Sequence, residues 1–222
     1  AIVDILNRKV KVSFDDVLQE IFIKFPNALT PETKDIRDVL EEYADETRDG
    51  NWMLKPLVKD RASQHSEMIF MLADIGRKIG FEIWIGLKEQ SAQYKGKKLS
   101  ELVEIVPTNV EKLDKLQVSR IENIDLLWHR RGKVQYAFEV ENTTSITEAL
   151  VRGANIPYNV NRFVVIPEER ASLLDRKLKE PGLEEMLKRN LWQRLYYSTI
   201  EDFFNTVKTK KSIDIEVFER LV

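Results

Sequence analysis

Apolar positions along this chain switch between a helical period and strand alternation, and the switches mark out its elements. Phe14, Val17, Leu18, Ile21 and Phe22 recur at helical spacing. After Pro26 and the start signal Thr30-Pro31-Glu32 the pattern repeats in Ile36, Val39, Leu40 and Tyr43. Two short helices are therefore predicted, followed by a turn at Thr47-Arg48-Asp49-Gly50 and a short apolar run at 51–56. Met68, Ile69, Met71, Leu72 and Ile75 predict a helix over 62–79, closed by Gly80 just past its C-terminus. Residues 81–87 read as a strand and 88–123 as a polar insertion. Two apolar runs, Ile124-Asp125-Leu126-Leu127-Trp128 and Tyr136-Ala137-Phe138-Glu139-Val140-Glu141-Asn142, should pair as a hairpin that turns at Arg131-Gly132-Lys133. A helix over 145–155, with Thr143, Thr144 and Ser145 at its start and Thr144 or Ser145 as N-cap, leads to a strand at 162–166. Helical stretches at 171–178 and 183–191, a short strand at 195–197 and helices at 200–207 and 215–221 complete the chain. From residue 62 the order is αβββαβ, an α/β core around a mixed central sheet with the later helices as a second layer.

Both hairpin strands carry acid where a core strand ordinarily places an apolar residue. Alternation puts Glu139 and Glu141 on one face, and Asp125 reaches that face once the hairpin closes. Three converging carboxylates repel one another unless a cation sits among them. The pattern therefore predicts a hard-metal site for Mg²⁺, with Mn²⁺ as a substitute, and such a site points to phosphodiester hydrolysis. Asp125, Glu139 and the Val140 carbonyl would share the ion with a phosphate oxygen, and Glu141 would orient or deprotonate the attacking water. For Glu141 the rival reading is a strand end that emerges into solvent. His65 and His129 stand alone in the sequence, their spacing suggests no zinc site, and His129 reads as a hairpin-end residue.

Charge restricts where nucleic acid would lie. With 32% charged residues and a net charge of −2 over 222 residues, any such surface is a local patch. Lys88, Lys95, Lys97 and Lys98, with Tyr94 among them, form one candidate in the insertion, and Arg130, Arg131 and Lys133 form another at the hairpin turn; Lys208, Lys210 and Lys211 read as a solvated helix end. The absence of cysteine excludes disulfides and thiolate metal sites and fits a reducing compartment, with the cytoplasm as the default location. No apolar run is long enough to span a bilayer, and the N-terminus lacks a signal-peptide layout. The chain begins at Ala1, which fits a processed, trimmed or excised piece of a longer protein.

Residues 1–60 resemble a winged-helix module. The alternative is a docking domain that touches no DNA, because Asp35, Asp38, Glu41, Glu42, Asp45 and Glu46 make its second helix acidic and a poor groove reader. Residues 61–222 form the second domain. Over 63–166 the element order and the acids resemble the PD-(D/E)xK superfamily of restriction enzymes, resolvases and repair nucleases. The resemblance implies a restriction-endonuclease-like core and, position by position, Glu67 as the acid on the first helix, Asp125 as the aspartate near the start of the second strand and Glu139 as the next acid, all converging on Mg²⁺, Glu67 through water. Glu141 stands where the family has lysine, although some restriction enzymes of the superfamily have glutamate there. Arg152 on the following helix would supply the missing positive charge against the scissile phosphate. Phe138-Glu139-Val140-Glu141-Asn142-Thr143-Thr144-Ser145-Ile146 with Arg152 also resembles nuclease-like domains of archaeal and bacterial genomes, sometimes found alongside DNA methyltransferases. Together the two resemblances imply a Mg²⁺-dependent DNA endonuclease of a restriction-modification or repair system, partnered by DNA and by a methyltransferase or other subunit. Two symmetry-related copies would cut both strands most simply, which leaves a homodimer open. The alternative keeps the fold without the reaction, as an inactive DNA-binding or partner-docking module.

Overall fold

A computed structural model describes residues 1–106, 115–142, 146–156, 159–179 and 192–222. The predicted cap residues Thr143, Thr144 and Ser145 and the predicted helix at 183–191 lie outside the described residues, as does 107–114 of the insertion. The chain divides into two compact units, Ala1–Ala62 and Ser63–Val222.

The first unit holds three helices, α1 (Ile2–Lys9), α2 (Phe14–Lys24) and α3 (Thr33–Tyr43). With them is an antiparallel sheet of β1 (Val12–Ser13), β2 (Ala44–Glu46) and β3 (Asn51–Leu54) in the order β1-β3-β2. Ile5, Leu6, Val17, Ile21, Ile36, Leu40 and Trp52 are buried together. Ser13 caps α2, its Oγ accepting the Asp16 N–H at 3.1 Å. Asp35, Asp38, Glu41 and Glu42 lie on the exposed side of α3, opposite its apolar stripe. Helix α1, whose Ile2, Ile5 and Leu6 do recur at helical spacing, and the two-residue strand β1, too short to show alternation, were not among the predicted elements.

Helix α4 (Pro56–Ile79) starts earlier than its periodicity suggests. None of its residues before Ser66 is buried, so the opening turns carry no apolar stripe, and Pro56 sits at the first helical position, which needs no N–H partner. The second unit continues through β4 (Glu82–Ile85), a small hairpin of β5 (Gln93–Tyr94) and β6 (Lys97–Lys98), and α5 (Lys115–Ile121). It then forms β7 (Leu126–Arg130), β8 (Lys133–Val140), α6 (Ile146–Gly153), β9 (Asn161–Ile166), α7 (Ala171–Leu178), β10 (Trp192–Tyr196), α8 (Tyr197–Val207) and α9 (Ile215–Glu219). Five of these strands make one mixed sheet in the order β10-β9-β8-β7-β4. Strands β8, β9 and β10 run parallel, whereas β7 is antiparallel to both β8 and β4. One face of the sheet, including Leu126, Trp128, Phe138, Val140 and Phe163, packs on α4, α8 and α9. Leu127, Ala137 and Val164 of the other face are buried among residues of α5, α6 and α7. Among the described residues no helix is long and apolar enough to cross a membrane.

Hairpin geometry sets the register of the acids. Arg131 (φ 54°) and Gly132 (φ 72°) both adopt the left-handed conformation that a two-residue hairpin turn demands. Leu126 then pairs with Phe138, so Asp125, one step further, lies opposite Glu139. The irregularity between Trp128 and His129 falls toward the turn and leaves this end of the ladder undisturbed. Because β7 runs against both of its neighbours, the C-terminal ends of β4 and β8 and the start of β7 share one edge of the sheet.

His129 lies near the turn, as its place in the sequence suggests, but it is fully buried, and neither ring nitrogen has a hydrogen-bond partner among the described residues. Burial pushes its pKa down to about 4. The unfolded chain takes up this proton near pH 6.5 and the folded one only near pH 4, so the contribution is fully present above pH 6.5 and is lost as pH falls through that window. The loss amounts to about 3 kcal/mol. Urea unfolding from pH 7 to pH 4 should therefore show the wild type losing stability relative to His129→Leu. Parallel curves for the two proteins would contradict this.

Candidate active site

Three carboxylates meet at the shared edge of the sheet. Asp125 leads into β7, Glu139 is the penultimate residue of β8, and Glu141 follows β8 by one residue with its N–H donating to Val165 O at 2.8 Å. Asp125 is fixed from two sides: the Val140 N–H donates to its Oδ2 at 2.8 Å, and its own carbonyl accepts the Gly86 N–H at 3.0 Å. Position 86 tolerates no side chain, since a Cβ there would stand 2.6 Å from Ile124 O. Glu141 is 7% exposed, so it does not emerge into solvent as the rival reading had it.

Glu139 is wholly buried, and Arg152 of α6 holds both of its oxygens. Arg152 Nε donates to Oε1 at 3.1 Å and Nη2 to Oε2 at 2.6 Å, while Nη2 stands 3.9 Å from Asp125 Oδ1. Helix α6 is itself anchored by Arg162 on β9, a buried residue that donates to the carbonyls of Gly153, Ile156 and Val160 at 3.1, 2.7 and 2.9 Å. Burial raises the Glu139 carboxyl well above the usual range and Asp125 adds to the rise, against the pull of Arg152. Burial likewise raises Asp125. Glu141 is pushed up to about 7 by burial and by Asp125. Arg152 feels burial in the opposite sense, but Glu139 and the other acids raise its pKa and keep it charged. The three carboxyl groups outnumber the one partly buried arginine that faces them.

A pocket of about 180 Å³ opens here, lined by Asp125, Val140, Glu141 and Arg152 and by His65, Lys88 and Glu89 from other elements. Sequence reasoning did not assign His65 or Glu89 to the site. His65 is on the polar side of α4, and Glu89 follows β4 into the polar insertion. His65 Nε2 lies 3.2 Å from Glu89 Oε2, and one ligating atom from each of His65, Glu89 and Asp125 falls within 4.8 Å of the others. Burial works against charge on His65, yet Glu89, with Asp125 and Glu141 beyond it, lifts its pKa to about 9. Burial works against charge on Glu89 too, and His65 outweighs it, leaving the carboxylate below its ordinary value.

The other sequence candidates are distributed differently. Glu67, two residues beyond His65, points to another side of α4, where it accepts a hydrogen bond from the Tyr94 hydroxyl of β5, and it does not line the pocket. Lys88 is exposed and lines the pocket. Lys95, Lys97 and Lys98 are exposed on the β5–β6 hairpin, with Lys95 4.9 Å from the centre of the Tyr94 ring. Arg130 donates to Ile79 O at 3.0 Å and lies 4.2 Å over the Phe81 ring, and Arg131 forms the turn; both are at the end of the β7–β8 hairpin remote from Asp125. The pocket thus combines carboxylates, an imidazole and a pinned guanidinium, a set that can hold a cation, take a proton from water and face an anion.

Residues 50–222 match the family model of the Type II restriction enzyme NmeDI C-terminal domain. No curated protein and no solved structure matches the chain.

Proposed function

The chain belongs to the family of the Type II restriction enzyme NmeDI C-terminal domain, and from that premise we propose that it is a metal-dependent DNA endonuclease of the PD-(D/E)xK type. The observation that carries the proposal is the convergence of Asp125, Glu139 and Glu141 with Arg152 at one edge of the central sheet. Such an excess of buried acid fits a divalent cation, because positive charge offsets the burial and the mutual repulsion that raise the carboxyl pKa values. Restriction enzymes usually use Mg²⁺, and Mn²⁺ is proposed as a substitute. Asp125 and Glu141, with the carbonyl of Val140 at the end of β8, would hold the ion while Glu139 stays behind them on Arg152, and the ion when bound would offset charge on the phosphate and make water a stronger acid.

The remaining roles belong to the chain's own residues. Glu141 accepts the proton of the attacking water. Arg152, pinned by Glu139, presents its guanidinium toward the pocket and the phosphate oxygen. Lys88 meets the DNA backbone at the pocket, and Lys95, Lys97 and Lys98 extend that contact along the β5–β6 hairpin, which Glu67 steadies through Tyr94. Three helices with a β1-β3-β2 sheet support a winged-helix reading of the first unit as a second contact for DNA or for a partner such as a methyltransferase. Cleavage of both strands is proposed to use two copies.

Incubation of supercoiled and linear DNA with the protein tests this reading. Cleavage is expected with Mg²⁺ or Mn²⁺ and not with chelator. DNA bound but never cut, across substrates and cations, would overturn it in favour of a binding module.

A further inference from the structure

Resting on the reading of this pocket as a metal site, we infer that its primary ligands are His65, Glu89 and Asp125, and that it prefers an imidazole-accepting transition-metal ion such as Mn²⁺ to Mg²⁺. Glu139, which the strand pattern alone makes an obvious ligand, is itself fully buried and already has both oxygens on the partly buried Arg152. An ion seated on it would have to share those oxygens with the guanidinium and sit against its positive charge. Asp125 is placed differently: Oδ2 is taken by the Val140 N–H, while Oδ1 stands 3.9 Å from Arg152, beyond hydrogen-bond reach.

Toward the pocket, Asp125 is joined by donors from two further elements. His65 comes from α4 and Glu89 from the segment after β4, and the three ligating atoms lie within 4.8 Å of one another. Adjacent ligands of an octahedral ion with bonds of about 2.1 Å are about 3 Å apart. The 3.2 Å between His65 Nε2 and Glu89 Oε2 is close to that separation, so the two can act as adjacent ligands of an ion that sits beside the line joining them, once the proton between them is displaced. The imidazole decides the selectivity. Mg²⁺ demands oxygen and sheds water reluctantly, whereas first-row transition ions accept imidazole readily.

Calorimetric titration of the whole chain with Mn²⁺ and with Mg²⁺, together with pulsed electron paramagnetic resonance of the Mn²⁺-loaded protein, tests the inference without reference to activity. Wild-type protein should bind Mn²⁺ about tenfold or more tightly than Mg²⁺ and show coupling of the ion to an imidazole nitrogen. His65→Asn should abolish that coupling and weaken Mn²⁺ about tenfold while leaving Mg²⁺ within about threefold. Absence of nitrogen coupling in the wild type, which needs no variant to fold, would overturn the inference, as would equal affinity for the two ions. DNA cleavage is scored separately. Nitrogen-coupled Mn²⁺ without cleavage supports this ligand set and removes the endonuclease reading; cleavage without nitrogen coupling overturns the ligand set alone.

Discussion

Arg152→Gln should lower folding stability by about 3 kcal/mol, read as a fall in the urea midpoint at unchanged slope. The size reflects what is left behind. Glu139 is wholly buried beside Asp125, and Arg152 is the cation that grips both of its oxygens. Without the guanidinium, Glu139 must either remain charged in a dry site or take up a proton, and its pKa, already raised by burial and by Asp125, rises further. A carboxyl whose folded pKa lies above its unfolded value favours the folded state at low pH and loses that advantage as pH rises. The deficit of Arg152→Gln should therefore be smaller at pH 5 than at pH 8. Arg152→Gln combined with Glu139→Gln removes both members of the pair and should recover most of the loss. A single variant within about 0.5 kcal/mol of wild type would mean that the pair behaves like an exposed salt bridge.

This pair also shows where the sequence stops being informative. Asp125, Glu139 and Glu141 stood out because each is an acid inside an apolar run, and a turn at 131–133 suffices to bring the first opposite the second. Strand alternation and hairpin closure are local, so the chain spells them out. Arg152 was legible as a cation on the next helix, but its grip on Glu139 depends on how α6 lies over the sheet, and Arg162, a buried residue on β9, fixes that. His65 and Glu89 were invisible for a related reason. Glu89 reaches the pocket because β4 lies beside β7, and His65 because α4 packs on the sheet, and both are long-range properties. His65 also sits where α4 has no apolar stripe, and Glu67, two residues on, is the acid that a linear pattern would select. In the first unit, α2 and α3 announced themselves by period, whereas the two-residue β1 is too short to do so.

Asp125→Asn should reduce DNA cleavage about a thousandfold or more, equivalent to about 4 kcal/mol of transition-state stabilisation. The substitution is nearly isosteric, and the amide oxygen can still accept the Val140 N–H that Asp125 now accepts at 2.8 Å, so the start of β7 keeps its anchor. What disappears is the charge that Glu139, Glu141, Glu89 and His65 surround. Removing one of several mutually repelling acids should leave the fold at least as stable, and DNA affinity, which the proposed reading assigns to lysines outside the cluster, should hold or tighten. The decisive measurement is cleavage of supercoiled plasmid by wild type and Asp125→Asn side by side in Mn²⁺ and in Mg²⁺, with DNA affinity and thermal melting recorded on the same preparations. Metal-dependent cutting by the wild type, with a folded, DNA-binding Asp125→Asn protein that does not cut, is the predicted result. Equal cutting by both proteins, or a wild type that binds DNA and cuts with neither cation, would contradict it.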